Sequence, residues 1–309
     1  MMDSPHIAIL MGTYDGSQFL PLQLTSILYQ SHQNWSLWVS DDGSTDGTRE
    51  LLESVRQQWG SDRVHILDGP SLGFVHNYLS LLCRHEIKAD YFAFADQDDV
   101  WLPDKLWRSV EALGKCPPGA PGLYCGRTLI VDAEGVERGM SLLDRVMPSF
   151  PNALIQNIAS GNTMVLNAAA RDLMKYAGAD VDIFAHDWWA YLAVMAVGGS
   201  VMFDPVPWVH YRQHGMNQVG ASVTLGKLIR RTKLDRNGHL RSTFRRNVAA
   251  LERIRHRITP ENLALLEQVG QLGHPHALVR LAAFLRLPFK RQRLLGNCSL
   301  ALAVLLGRL

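Results

Sequence analysis

Short apolar runs that stop abruptly at polar or acidic residues recur through the first hundred positions, separated by stretches with helical apolar spacing. HIAILMGTY (6–14), WSLWVS (35–40), RVHILD (63–68) and the run from Asp90 to Ala95 read as strands. Between them LPLQLTSILYQS (20–31) places Leu20, Leu24, Ile27 and Leu28 on one helical face, and RELLESVRQQW and the segment after GPSLG read as further helices. Strands alternating with helices predict an α/β fold with a parallel sheet, and ligands of such sheets bind beyond the carboxyl ends of the strands. Thr13–Asp15, Asp41–Asp42 and Asp96–Asp99 each follow a strand, so all three clusters are expected around one crevice.

The sharpest of these clusters is Asp96, Asp98 and Asp99 in DYFAFADQDDVWLPDKLW (90–107). Carboxylates crowded at the end of a buried strand repel one another and resist desolvation, so they call for compensating positive charge. Hard divalent cations take oxygen ligands, and Mg²⁺ sites use one or two carboxylates plus substrate phosphates. Asp96 and Asp98 therefore read as candidate ligands of Mg²⁺ or Mn²⁺ bridging a diphosphate, against the plainer reading of a solvated turn in which Asp99 or Asp104 caps the next helix. SDDGSTDGT (40–48) is rich in turn formers, with a helix N-cap expected at Thr45 or Asp46. A turn accounts less well for the doublet Asp41–Asp42. A carboxylate there suits the imide N–H of a pyrimidine, with Tyr14 available to stack on the base.

Taken together, GTYDGSQFLPLQLTSILYQSHQNWSLWVSDDGSTDGT, then GFVHNY, then FADQDDVWLPDKL resemble the nucleotide-binding half of family 2 glycosyltransferases with the GT-A fold, a Rossmann-like nucleotide-diphospho-sugar transferase fold. The resemblance covers about residues 6–107. SGNTMVLN, HDWW and HYRQHGMNQVG resemble the rhamnosyltransferase-like branch. The resemblance implies that Thr13, Tyr14 and Asp42 contact the nucleoside, with Asp41 in the same motif. It aligns Asp98 with the metal-binding acid and Asp96 with the ribose- or metal-facing one; Asp99 is an additional acid. Asp187 falls at the general base, although the usual Glu-Asp pair reads His186-Asp187 here. His214 corresponds to a residue that ligates metal or touches the diphosphate. From the residues alone, Asp187 also suits a helix cap, His214 an idle loop position, Arg212 either a phosphate contact or the plain surface, and Trp188 and Trp189 either the core or, for one of them, the face of a sugar ring.

The implied activity is inverting, metal-dependent transfer of a sugar from a nucleotide diphosphate, dTDP-rhamnose or a UDP-sugar, to a hydroxyl of a growing, lipid-linked glycan. The rival readings are a nucleotidyltransferase, disfavoured because MGTYDGSQ has no Lys or Arg, and a non-catalytic protein that binds nucleic acid through a basic tail.

That tail is the other strong feature. Residues 221–309 hold 17 Lys and Arg against 4 Asp and Glu, a balance of +13, whereas residues 1–220 carry −11. The expected organisation is a catalytic domain over 1–220, with a nucleotide-binding half at about 6–107 and an acceptor half at about 108–220, followed by a basic helical extension over 221–309. LGKLIRRTKL, LRSTFRRNVAALERIRHRI and ALVRLAAFLRLPFKRQRLL interleave cations with Leu, Ile and Phe. Attraction to an anionic cytoplasmic leaflet fits this pattern better than nucleic-acid binding, for which no motif is present. No run reaches the roughly 18–20 apolar residues of a membrane span. MMDSPHIAIL lacks a basic leader region, and Cys83, Cys116, Cys125 and Cys298 form no CxxC pair. The expected location is therefore cytoplasmic, on the inner face of the membrane, with reduced thiols.

Overall fold

The computed structural model describes residues 4–141, 147–215 and 239–309. Strands β1 (Ile7–Thr13), β2 (Trp35–Asp41), β3 (Val64–Asp68) and β4 (Tyr91–Ala95) alternate with helices α1 (Leu20–Leu28), α2 (Thr48–Trp59) and α3 (Phe74–Cys83). β1 pairs in parallel with both β2 and β4, and β3 flanks β2. β1 is apolar on both faces because both are covered. Ile7, Ile9 and Met11 pack with Leu20, Leu24, Leu52 and Leu106, whereas Ala8 and Leu10 pack with Leu79, Phe94 and Trp189 on the other side.

Next come β5 (Val100–Trp101), α4 (Lys105–Leu113), β6 (Gly122–Val131), β7 (Glu137–Met140), α5 (Phe150–Ile155), β8 (Val165–Asn167), α6 (Ala168–Ala177), α7 (His186–Ala196) and β9 (Ser200–Arg212). The sheet order is β3-β2-β1-β4-β8-β6-β9-β5, with β7 on β6. The sheet is thus mixed rather than parallel. Short β8 runs antiparallel to β4 and β6, with Ala93 opposite Val165 and Tyr91 opposite Asn167. This reversal has a consequence for the site: the turn Gly161–Thr163, just before β8, comes level with the carboxyl end of β4. The antiparallel pairing of β5 with β9, Val100 opposite His210, likewise carries Arg212 and His214 back to the acid cluster.

Two expected caps differ. Gly47, at φ 94°, occupies the N-cap of α2, and Asp46 instead accepts from the Thr48 N–H and hydroxyl. Asp104 sits at the N-cap of α4 without a side-chain bond, and Asp99 points elsewhere.

The C-terminal helices are α8 (His239–Leu251), α9 (Pro260–Gly270), α10 (Ala277–Arg286) and α11 (Leu294–Leu305). Phe244, Ile254, Leu272, Leu300 and Val304 join the same core cluster as α3, α6 and α7. Several tail cations bond inward: Arg246 and Arg253 to Asp182 and Asp180, and Arg280 to the carbonyls of Val304 and Leu305. The expected helix LGKLIRRTKL and the end of HYRQHGMNQVG lie outside the described residues. Among the described residues no disulfide joins the four cysteines.

Candidate active site

β1 ends at Thr13, whose hydroxyl donates to Asp41 Oδ1 at 2.8 Å across the β1–β2 pair. Asp41 is buried and also accepts from the Ser44 N–H and hydroxyl, so it braces the turn after β2. Asp42 accepts from the N–H groups of Ser71 and Gly73, holding the loop that opens α3. Tyr14 is 57% exposed, its ring free to meet a planar ligand. Its backbone is anchored at both ends: its N–H donates to Gln97 Oε1 and its carbonyl accepts from Gln97 Nε2, each at 2.9 Å. A Cβ at Gly16 would lie 2.2 Å from Gln97 Oε1, so this placement of the amide depends on the glycine. Gln97 is the middle residue of the DQD triplet. Its clamp was not foreseen, since only the flanking acids carry an obvious chemical signal.

At the end of β4 the three acids separate into different environments. The Tyr78 hydroxyl lies 2.7 Å from Asp96 Oδ1. Burial, followed by the charge of Asp98, pushes Asp96 up to about 7. Asp98 Oδ2 lies 2.8 Å from His214 Nε2, and its carbonyl accepts from Arg212 Nε. Asp99 is fully buried, accepting from Asn162 Nδ2 at 2.5 Å and from the Arg212 N–H at 3.1 Å. It therefore ties β4, β9 and the turn before β8 together and caps no helix. Arg212 is buried too, its guanidinium spent on the carbonyls of Asp98, Asp132 and Ala133, so it is a strut rather than a surface arginine.

Behind the acids lies Lys105, wholly buried, its Nζ 3.5 Å from the centre of the Trp101 ring. No hydrogen-bond partner meets that Nζ among the described residues. Burial drives Lys105 well below the usual lysine range, opposed by the charges of Asp99 and Asp96. Burial thus favours the neutral amine at Lys105, and the chain supplies little fixed positive charge to these acids from behind.

Asp187 stands at the second residue of α7, after an Ala185 N-cap, so it is not the cap. Its Oδ2 accepts from the Gly161 N–H at 3.1 Å and its Oδ1 from the Trp188 N–H at 2.6 Å. Burial raises it to about 6 against these bonds and one with the Asn157 side chain. Asp187 and Asp96 are close enough for the charge of one to raise the other. His186 departs from the expected acid in a telling way. Its ring is buried and stacks on Tyr78 with centroids 4.1 Å apart, edge-on to Phe94. Neither ring nitrogen has a partner among the described residues, and burial lowers it to about 3. It is a neutral wall where a glutamate would add a third charge. Trp189 is fully buried core, while Trp188 donates to the Ala153 carbonyl.

Asp96, Asp98, His214 and Asp187 thus converge, and Thr13, Tyr14, Asp41 and Asp42 line the adjoining ends of β1 and β2. Among the described residues no group of three or more His, Cys, Asp or Glu side chains is placed to hold a metal ion. The Asp98 carboxylate and His214 imidazole alone would offer two donors to a Mg²⁺ or Mn²⁺ ion, the rest being left to a substrate diphosphate and solvent.

A model of glycosyl transferase family 2 matches residues 8–165, just over half of the chain. The chain belongs to this family. A curated relative, the dTDP-rhamnosyl transferase RfbG of Shigella flexneri, is 28% identical over 242 residues, 74% of this chain and 79% of the relative. The putative glycosyltransferase EpsE of Bacillus subtilis is 29% identical over 180 residues, 57% of this chain and 62% of its own length. Among solved structures, S. aureus TarS 1-349 aligns with a TM-score of 0.57 at 14% identity, covering 98% of this chain and 80% of that one. The mannosyltransferase PcManGT of Pyrobaculum calidifontis, solved with GDP-Man and Mn²⁺, aligns with a TM-score of 0.52 at 18% identity, covering 99% and 86%. The fold is GT-A. This family 2 glycosyltransferase transfers a sugar from a nucleotide-sugar donor, which sets aside the nucleotidyltransferase and non-catalytic readings. Asp187 and His214 lie beyond the span of the family model, so their roles are argued from the geometry.

Proposed function

We propose that this enzyme is an inverting, metal-dependent glycosyltransferase that moves a sugar from dTDP-rhamnose to a hydroxyl of a lipid-linked polysaccharide. The observation that carries the reading is the convergence of Asp96, Asp98 and His214 with a separately held carboxylate, Asp187. Tyr14 stacks on the base, and Thr13, Asp41 and Asp42 hold the turns that receive the nucleoside. Asp98 and His214, with Asp96, would hold Mg²⁺ or Mn²⁺, which would supply charge neutralisation of the departing diphosphate. Asp187 accepts the acceptor proton as the hydroxyl oxygen bonds to the anomeric carbon. The carbon–oxygen bond to the diphosphate breaks on the opposite face. A base near pKa 6 is ionised at neutral pH yet retains proton affinity. The dTDP-rhamnose assignment leans on RfbG; a UDP-sugar is the competing donor.

Residues to about 220 would form the catalytic unit, and the basic helices beyond it would hold the enzyme on the inner face of the cytoplasmic membrane. Among the described residues no helix is long and apolar enough to cross a membrane, so attachment would be peripheral. The deciding experiment is a thermal-shift panel of dTDP, UDP and GDP with and without Mn²⁺, followed by turnover of the matching sugar donor. Metal-dependent stabilisation by dTDP and release of dTDP from dTDP-rhamnose are expected. Stabilisation by UDP alone would replace the donor, and metal-independent turnover would overturn the metal.

A further inference from the structure

The C-terminal pair α10–α11 carries apolar side chains that no other described residue covers. On α10, Leu278, Ala282 and Leu285 recur at helical spacing on the solvent side, while Arg280, Ala283, Phe284 and Leu287 turn inward. On α11, Leu295, Cys298, Leu302 and, just past its end, Leu306 form the matching outer stripe, opposite buried Leu300 and Val304. Leu278 and Leu294 are each 79% exposed, and Leu285, Leu295, Leu302 and Leu306 are all more than half exposed. A helix that is apolar all round belongs in a buried setting, and a contiguous exposed patch of this kind marks an interaction surface.

The charges around the patch select the partner. No Asp or Glu occurs after Glu267, and Arg286, Lys290, Arg293 and Arg308 are exposed about the leucines. A second copy of the chain would bring these cations against their own kind across a two-fold axis, with no local acid to answer them. An anionic bilayer answers both features, taking leucines among its acyl chains and cations at its headgroups.

The hairpin is also wired to the acceptor side of the site. Its connector bonds to the segment 152–156: Asn152 Nδ2 donates to the Lys290 carbonyl at 2.7 Å, Arg291 Nε to the Ile155 carbonyl at 3.2 Å, and the Gln292 N–H to Gln156 Oε1 at 2.9 Å. The next residue, Asn157, bonds to Asp187 through its side chain.

We propose that the leucine face of α10–α11 inserts into an anionic membrane and holds the Asp187 side of the cleft close to a lipid-linked acceptor. The inference rests on the membrane-associated reading above and changes its physics: leucine insertion, rather than charge alone, provides the attachment. The test is co-sedimentation of the full chain with phosphatidylcholine vesicles and with vesicles containing phosphatidylglycerol. Wild type should bind the anionic vesicles and keep part of that binding in high salt. Leu285→Ser/Leu295→Ser/Leu302→Ser should lose roughly tenfold or more of its partitioning, with unchanged melting temperature and unchanged turnover on a soluble acceptor. Arg286→Gln/Lys290→Gln/Arg293→Gln should lose only the salt-sensitive share. If the serine variant binds as wild type does, this face is not the site, although membrane attachment through other cations survives. If wild type binds no anionic vesicle, the membrane reading itself falls. Dimeric wild type that binds no vesicle, with a monomeric serine variant, would make the face a contact between copies and overturn the proposal.

Discussion

His214 Nε2 lies 2.8 Å from Asp98 Oδ2, joining residues 116 positions apart in the chain. The β5–β9 pairing makes this contact possible, and it sets a carboxylate and an imidazole side by side at the end of β4. Asp98→Asn and His214→Ala should each abolish the Mn²⁺-dependent part of nucleotide diphosphate binding, read by calorimetry, while circular dichroism stays unchanged. Undiminished metal-dependent binding in both variants would remove the pair from the metal site.

For Asp187→Asn, the transfer rate should fall by about 10²–10⁴-fold with nucleotide affinity nearly intact. The wild-type rate should decline as pH drops below about 6, because protonation removes the base. The stability effect has the opposite sign. A carboxyl raised from 3.8 to about 6 binds its proton more tightly when folded, so the fold loses stability as pH rises through that window. The Asn variant should therefore melt no lower than wild type at pH 8. A variant that melts lower but turns over normally would make Asp187 a structural residue.

His186→Phe should stabilise the protein, since the ring sits among Tyr78, Phe94 and Phe74 and neither nitrogen meets a partner among the described residues. Relieving a buried unsatisfied polar group is worth about 1–3 kcal/mol. A folded pKa of about 3 against 6.5 unfolded means that the wild-type fold loses stability as pH falls below about 6.5. The advantage of the Phe variant in thermal melts should accordingly be larger at pH 5 than at pH 8. An equal or reversed difference would show that the imidazole is charged or bonded in solution.

Lys105→Met should leave the fold no less stable than wild type in urea melts, because burial disfavours the ammonium and its Nζ meets no hydrogen-bond partner among the described residues. A loss of several kcal/mol would show that Lys105 is charged and supports the buried Asp99.

Gly16→Ala should force the Gln97 amide away from the Tyr14 backbone. The expected result is a donor KM raised several-fold with a smaller change in kcat, since the residues that perform the chemistry stay in place. Unaltered donor kinetics would mean that the Gln97 clamp does not shape the nucleotide pocket.

The periodicity of β1 to β4 and of α1 to α3 was readable along the chain, because each apolar run must bury itself and its spacing declares strand or helix. Strand ends were readable for the same reason: Thr13, Asp41 and Asp96 are where burial gives way to polar groups. The sheet beyond β4 was not. β8 has only three residues, too few for any period to reveal its direction, and its antiparallel pairing with β4 and β6 turned an expected parallel sheet into a mixed one.

The roles within the acid cluster also had to await tertiary contacts. Asp96, Asp98 and Asp99 are chemically equivalent in a string of letters. They diverge because Tyr78, His214 and the pair Asn162 and Arg212 arrive from three different elements. Burial separates them further, and burial depends on everything packed around a side chain rather than on its neighbours in sequence. The same holds for the basic tail. Its composition announced a charged, apolar-interleaved extension, but which cations bond inward, as Arg280 does, and which leucines stay in solvent follows only from how the helices pack.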